Sequence, residues 1–283
     1  MQCPELKSQR PVAETACDQA QPFLRWAGSK RQLVPTLRSY WTPRFKRYIE
    51  PFAGSACLFF DLMPDQALLG DVNSELINAF RCIKRHPTRV ATTVAGLPRG
   101  KRAFYRIRRE DPSALSKIDA AARFIFLNRF CFNGLFRTNL SGRFNVPYGG
   151  ARVGHLPTVQ ELRFVSRALK SAKFILGDFE QLLQQASADD FVYLDPPFAV
   201  ENRRVFRQYG PQTFGSTDLT RLARALGELH DRGASFVLSY AWCAEAKNAF
   251  ARWQQRKFFV NRNIAGFRRF RRRAAELIVT NIR

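Results

Sequence analysis

The sequence predicts an α/β domain in which helices wind around a mostly parallel sheet, with an antiparallel strand near the C-terminus. Three observations carry this expectation. Short apolar runs of strand length alternate with helical patterns. Early runs end in Gly or Asp turns that open straight into helices. The last two runs are joined by "RNIAGFRRFRRRAA", too short for a usual helical crossover, which calls for antiparallel pairing. A chain of 283 residues with 46% apolar content suits one large domain, or one domain carrying an insertion.

Taken in order, residues 1–20 read as a polar tail; no basic start precedes an apolar run, so no secretory signal is expected. "PFLRWAGSKRQLVPTLRSYW" is a loop opening into a helix. "KRYIEPFAG" gives a short strand, Arg47 to Phe52, that breaks at Gly54, and "SACLFFDLM" follows as a helix with Ser55 near its N-cap. "QALLGD" is a second strand ending at Asp71, and "VNSELINAFRCIKRH" a second helix. From about His86 to Leu156 the pattern turns helical and Arg-rich, then gives way to the loop "CFNGLFRTNLSGRFNVPYGGARVGH". Strands resume at 172–178, 190–195, 234–240, 257–261 and 276–281. A helix N-capped by Ser216 or Thr217 and stopped by Gly233 separates two of them. The expected organisation is an α/β domain over 21–75 and 158–283, interrupted by a mainly helical insertion over 76–157.

Charge narrows the partner. Lys and Arg number 46 against 23 Asp and Glu, a net charge of +23. Most of the basic residues are Arg, suited to bidentate contacts with phosphate and guanine. A polyanion is the expected partner, and nucleic acid the commonest one. No stretch approaches the roughly 18 uninterrupted apolar residues of a membrane span. Six cysteines without a CxxC pair and three scattered histidines give a metal site nothing to build on, so none is expected. Reduced thiols and a cytoplasmic setting follow.

The chemistry concentrates at strand ends. In "DDFVYLDPPFAVEN" an apolar strand runs into two prolines. Neither proline can donate to a ladder, so Asp195 and Pro196 are left with acceptors that point elsewhere. The turn Phe52-Ala53-Gly54 lets backbone approach a ligand at a helix start, and Asp71 at the next strand end can accept from a ribose diol. Only one Gly stands in that turn, so a pyrophosphate cradle is less favoured than a cofactor without phosphates. Read alone, Asp71 could equally cap a helix starting at Val72, Trp26 could be a core aromatic, and Lys30 a solvated charge.

"DPPF" is similar to the Asp/Asn-Pro-Pro-aromatic motif of S-adenosylmethionine-dependent amino-methyltransferases. With "FLRWAGSK", "YIEPFAGSACLFF", "LGDVNSELI" and "NRFCFNGLFRTNLSGRFNVPYG" in this order, the chain from residue 23 onward resembles the Dam-like, D12-class DNA adenine-N6 methyltransferases. That resemblance implies a Rossmann-like methyltransferase sheet with an inserted target-recognition domain. It implies S-adenosyl-L-methionine as cofactor, double-stranded DNA as partner, and base flipping. Carried across, the catalytic residues are Asp195, Pro196, Pro197 and Phe198. The cofactor residues are Trp26, Lys30, Phe52, Ala53, Gly54, Asp71, Asp178 and Phe179.

On the DNA side the resemblance nominates Leu135 and Arg137 as base readers beside Asn133 and Asn139, with Arg129, Arg143 and Arg152 as phosphate contacts. "FRRFRRR" (267–273) suits clamping of phosphates. Two departures stand out: Ala56 where the family has a small Gly, and Phe198 where Tyr is usual. A monomer acting in a bacterial or phage-encoded, nucleoid-associated setting is expected, and GATC is the family's typical target. Two alternatives remain open at this stage. One is an amino-methyltransferase on cytosine N4, RNA or a protein glutamine; the other is a DNA-binding homologue that has lost catalysis.

Overall fold

A computed structural model describes residues 20–150, 154–198, 214–261 and 273–282. One seven-stranded sheet contains β1 (Arg47–Glu50), β2 (Ala67–Asp71), β3 (Ala172–Leu176), β4 (Asp190–Leu194), β5 (Ser235–Ala241), β6 (Gln254–Asn261) and β7 (Arg273–Thr280). Their order is β3-β2-β1-β4-β5-β7-β6. The first five are parallel to one another, while β7 lies antiparallel between β5 and β6. All seven expected strands are present, and the short final connection produces the antiparallel pair.

Period-two alternation sends side chains to both faces, as a sheet covered on both sides requires. In β4, Phe191 and Tyr193 join a cluster with Phe59, Phe80 and Phe126, while Val192 and Leu194 join Leu222, Leu226 and Phe250 on the other face. The first face is covered by helices α1 (Val34–Arg38), α2 (Cys57–Leu62), α3 (Ser74–Arg85), α4 (Pro87–Gly96), α5 (Lys101–Arg109), α6 (Lys117–Phe130) and α7 (Val159–Ala168). The second is covered by α8 (Phe179–Leu183), α9 (Ser216–Asp231) and α10 (Ala244–Ala249).

Three helix starts differ from expectation. Residue 56, not Ser55, caps α2, with Ala56 left-handed at φ 52° and ψ 40°. Asn73 caps α3 by accepting from Leu76 N at 3.1 Å, which frees Asp71 from that role. Gly215 precedes α9, and its N–H donates to the Asp218 carboxylate at 2.9 Å, so Ser216 is already helical. The expected domain boundary at 75/76 falls inside α3. Arg81 and Lys84 of that helix donate to the Phe174 and Ala172 carbonyls of β3 at 2.8 and 2.7 Å, fastening it to the sheet. Residues 1–19, Arg152 and most of "FRRFRRR" lie outside the described residues.

Candidate active site

Parallel strands deliver their carboxyl ends to one edge of the sheet, the place where open α/β folds bind ligands. Asp195 sits there, directly after β4, with its side chain 20% exposed. It is therefore neither buried in the core nor fully solvated. Its Oδ1 lies 2.6 Å from Lys30 Nζ and accepts from Ser239 Oγ at 2.9 Å. Pro196 is buried behind it, while Pro197 and Phe198 are half-buried. The Phe198 ring meets Tyr240 edge-on at 5.0 Å and has Lys30 Nζ 5.1 Å from its centroid.

Lys30 comes from a tight turn, in which Ser29 N donates to Trp26 O and Gly28 adopts φ 84°. Its ammonium is 5% exposed, so the reading as a solvated charge is wrong. Nζ donates to Gly28 O at 3.2 Å and stands 3.9 Å from Glu276 Oε2 in β7. Burial alone would depress this ammonium, but Asp195 and Glu276 outweigh it and hold it above its ordinary value. Trp26 is only partly buried; it lies against Gly54 and stacks on Phe136 at 6.1 Å, 16° between planes. A Cβ on Gly54 would come within 2.8 Å of the Trp26 indole nitrogen, and the φ of +47° there also favours Gly.

Asp71 closes the glycine turn from the next strand. Its Oδ2 accepts from Gly54 N at 3.2 Å and its Oδ1 from Asn73 N at 2.9 Å. Burial raises its pKa to about 6, although backbone donors at Asn73, Gly54 and Val72 pull the other way. Glu50, at the end of β1, is pushed well above the usual carboxylate range by burial and by the nearby Asp195 and Asp71, against the opposing bond from Tyr48. Asp195 and Glu276 thus face one ammonium, with the Asp71 carboxyl at the same sheet edge and Glu50 held in its neutral form by burial, in a chain of net charge +23. That local field favours a cationic ligand.

Beyond β3, Asp178 caps α8 by accepting from Glu180 N at 3.0 Å and pairs with Arg221 Nη2 at 2.8 Å. Phe179 stacks on Phe52 at 5.4 Å, with Phe214 6.2 Å from Phe52 and the Arg221 guanidinium 4.9 Å from the Phe179 ring. Phe52, Gly54, Asp71 and Phe179 are linked by these contacts. Asp195, Lys30 and Phe198 form a second linked set, and Gly54 joins the sets through Trp26, a neighbour of Lys30 in the same turn.

Of the nominated DNA residues, Arg129 lies in the last turn of α6, Asn133, Leu135 and Arg137 follow it, and Asn139 and Arg143 sit in a small hairpin closed by a Thr138–Phe144 bridge. Arg137 Nε donates to Asn145 Oδ1 at 2.7 Å. Asn139 Oδ1 accepts from Ser141 N and Arg143 N at 3.1 and 2.9 Å, shaping the tip. Arg143 is exposed, Leu135 packs partly on the core, and Asn133 is half-buried at φ 55°. Arg129 is half-buried: its Nε has no partner among the described residues, and burial lowers its pKa. Sequence reasoning passed over Glu50, Asn145, Ser239 and Glu276. Polar residues in the apolar runs "ASFVLSY" and "ELIVTN" were the available signal for the last two.

A family model described as D12 class N6 adenine-specific DNA methyltransferase matches residues 26–262. The chain is 32% identical over 269 residues to the Type II methyltransferase M1.LlaDCHI of Lactococcus lactis subsp. cremoris, covering 92% of this chain and 95% of that one. It is 34% identical to the DNA adenine methylase of Serratia marcescens, covering 73% and 78%. It is also 31% identical to the Type II methyltransferase M.MjaIII of Methanocaldococcus jannaschii, covering 79% and 85%. The fold and this match define a methyltransferase of the mixed α/β kind. The chain belongs to the D12 class, the N6-adenine-specific DNA methyltransferases.

Proposed function

We propose that this protein transfers a methyl group from S-adenosylmethionine to N6 of an adenine flipped out of double-stranded DNA, at the carboxyl edge of the sheet. The observation that carries the reading is the exposed face of Asp195, held by Lys30 and Ser239 beside Phe198. The residue set fits the cofactor in chemical type. Asp71 offers a carboxylate to a ribose diol, the Phe52–Phe179 stack offers aromatic surface to an adenine, and the carboxylate cluster suits a cation. Ala53 and Gly54 would form the floor, Trp26 and Lys30 would border the methionine portion, and Asp178 would contribute its remaining acceptor capacity. When bound, S-adenosylmethionine supplies an electrophilic methyl on a sulfonium.

The chain's own work is to prepare the nucleophile. The adenine amino lone pair is delocalised into the ring. Two acceptors, the Asp195 carboxylate and the Pro196 carbonyl, would take its two N–H groups and favour a pyramidal, attacking nitrogen. Pro196 and Pro197 hold those acceptors in place before reaction, which is where electrostatic catalysis gains most. Phe198 would stack on the extruded base. An adenine within a duplex cannot reach these groups without leaving the stack, hence the flipping. The segment 76–157 would serve as target reader, with Arg137, Leu135, Asn133 and Asn139 near base edges and Arg129 and Arg143 on phosphates. Incubation with labelled cofactor and duplex DNA, followed by nucleoside analysis, is expected to yield N6-methyladenine. Label in N4-methylcytosine, in RNA only, or in no nucleic acid would overturn the proposal.

A further inference from the structure

We infer that Ser239 and Glu276 are positioning residues for methyl transfer: Ser239 orients the Asp195 carboxylate, and Glu276 seats the lysine that shares it. The inference rests on Asp195 being the catalytic acceptor, as proposed above.

The geometry is directional. Tyr193 and Ser239 are buried, in adjacent parallel strands, with oxygens 3.0 Å apart. Either oxygen of that pair could donate, but Ser239 has one hydroxyl proton, and when it is given to a carboxylate oxygen Ser239 Oγ accepts from the Tyr193 phenol. The Ser239 proton therefore has two acceptors to choose between. Asp195 Oδ1 at 2.9 Å is a better acceptor than Leu194 O at 3.4 Å, being both closer and charged. Lys30 Nζ grips that same Oδ1 at 2.6 Å. With two donors on Oδ1, the carboxylate cannot rotate freely, and Oδ2 is the oxygen available to an exocyclic amine.

Glu276 acts one step further out. A buried ammonium needs compensation on every side. Facing Lys30 are Asp195 after β4, Glu276 of β7, the Cys57 thiol at the start of α2 and the Gly28 carbonyl. Burial lifts the Cys57 thiol to about 11, so it brings no charge at neutral pH. Glu276 is therefore the second carboxylate that keeps Lys30 charged and fixed. Its removal lowers the lysine's pKa, and Lys30 loses its proton as pH rises through that lower value.

The test uses the full chain, with single-turnover rates normalised to the number of cofactor-binding sites, so that misfolded protein is not counted. Ser239→Ala is expected to slow transfer about 10- to 100-fold, the scale of a small misplacement of a reacting group, with DNA affinity unchanged. Glu276→Gln is expected to introduce a basic limb into the rate–pH profile below 10.5, the ordinary lysine value, that the wild type lacks. A wild-type normalised rate in Ser239→Ala overturns the first assignment. A pH profile for Glu276→Gln that superimposes on the wild type overturns the second. Asp195→Ala is measured alongside: if it retains transfer, the catalytic reading itself fails, whatever the two partners do.

Discussion

Ala56 occupies a backbone conformation that favours glycine, and its methyl is buried in the core rather than displayed at the surface. A left-handed residue with a Cβ costs roughly 1–2 kcal/mol, while a lost buried methyl costs about 0.8 kcal/mol and added chain entropy about 0.5–1 kcal/mol. These nearly cancel. Ala56→Gly is therefore expected to leave stability within about 1 kcal/mol of the parent in denaturant melts, with cofactor affinity unchanged. A larger loss would mean the methyl fills space that the turn depends on. Asp71 offers a pH test at the same scale. With its pKa raised to about 6, it is protonated below that pH and must be a carboxylate to accept from two ribose hydroxyls. Cofactor binding below about pH 6 is thus expected to release a proton and to weaken as pH falls. Calorimetry in two buffers reads this, and Asp71→Asn should abolish the linkage.

Among the elements, strands were the most legible. Each apolar run between turn residues became a strand, because a sheet covered on both faces needs uninterrupted hydrophobic segments. "DPP" could be read as an ending for the same reason, since two prolines leave no ladder donor. Helix starts were less legible: Ser55, Asp71 and Ser216 all have capping side chains, yet the caps fell on Ala56, Asn73 and Gly215. Tertiary demands decided those positions; Asp71, for example, is held by Gly54 N. Ser239 and Glu276 were missed because their roles depend on which strands become neighbours, and no local pattern states that order. The hairpin carries its own prediction. Arg137 Nε is tied to Asn145, which aims the rest of the guanidinium fork. Arg137→Ala is expected to relax site choice by about 1–3 kcal/mol at one base pair, and Asn145→Ala to do so in part, as read by methylation of a library of mutated sites. Unchanged preference in both would remove this pair from the reader.

On the scale of the whole molecule, two opposite fields coexist. The chain carries +23, which draws it to a polyanion, while its candidate active site sets Asp195 and Glu276 on Lys30 with the Asp71 carboxyl at the same sheet edge. The first field should appear as a steep loss of DNA affinity with salt; Arg143→Ala is expected to reduce the log–log slope by about 0.9. The second suits a cationic donor and keeps phosphates away from the reacting edge. Affinity for DNA and catalysis should therefore separate cleanly by mutation. The most direct measurement is the single-turnover methylation rate of Asp195→Ala at saturating DNA and cofactor, beside its DNA dissociation constant. A fall of at least about 10³-fold in rate with binding essentially unchanged is expected. Wild-type transfer by that variant would contradict the assignment of Asp195 as the acceptor that activates the adenine amine.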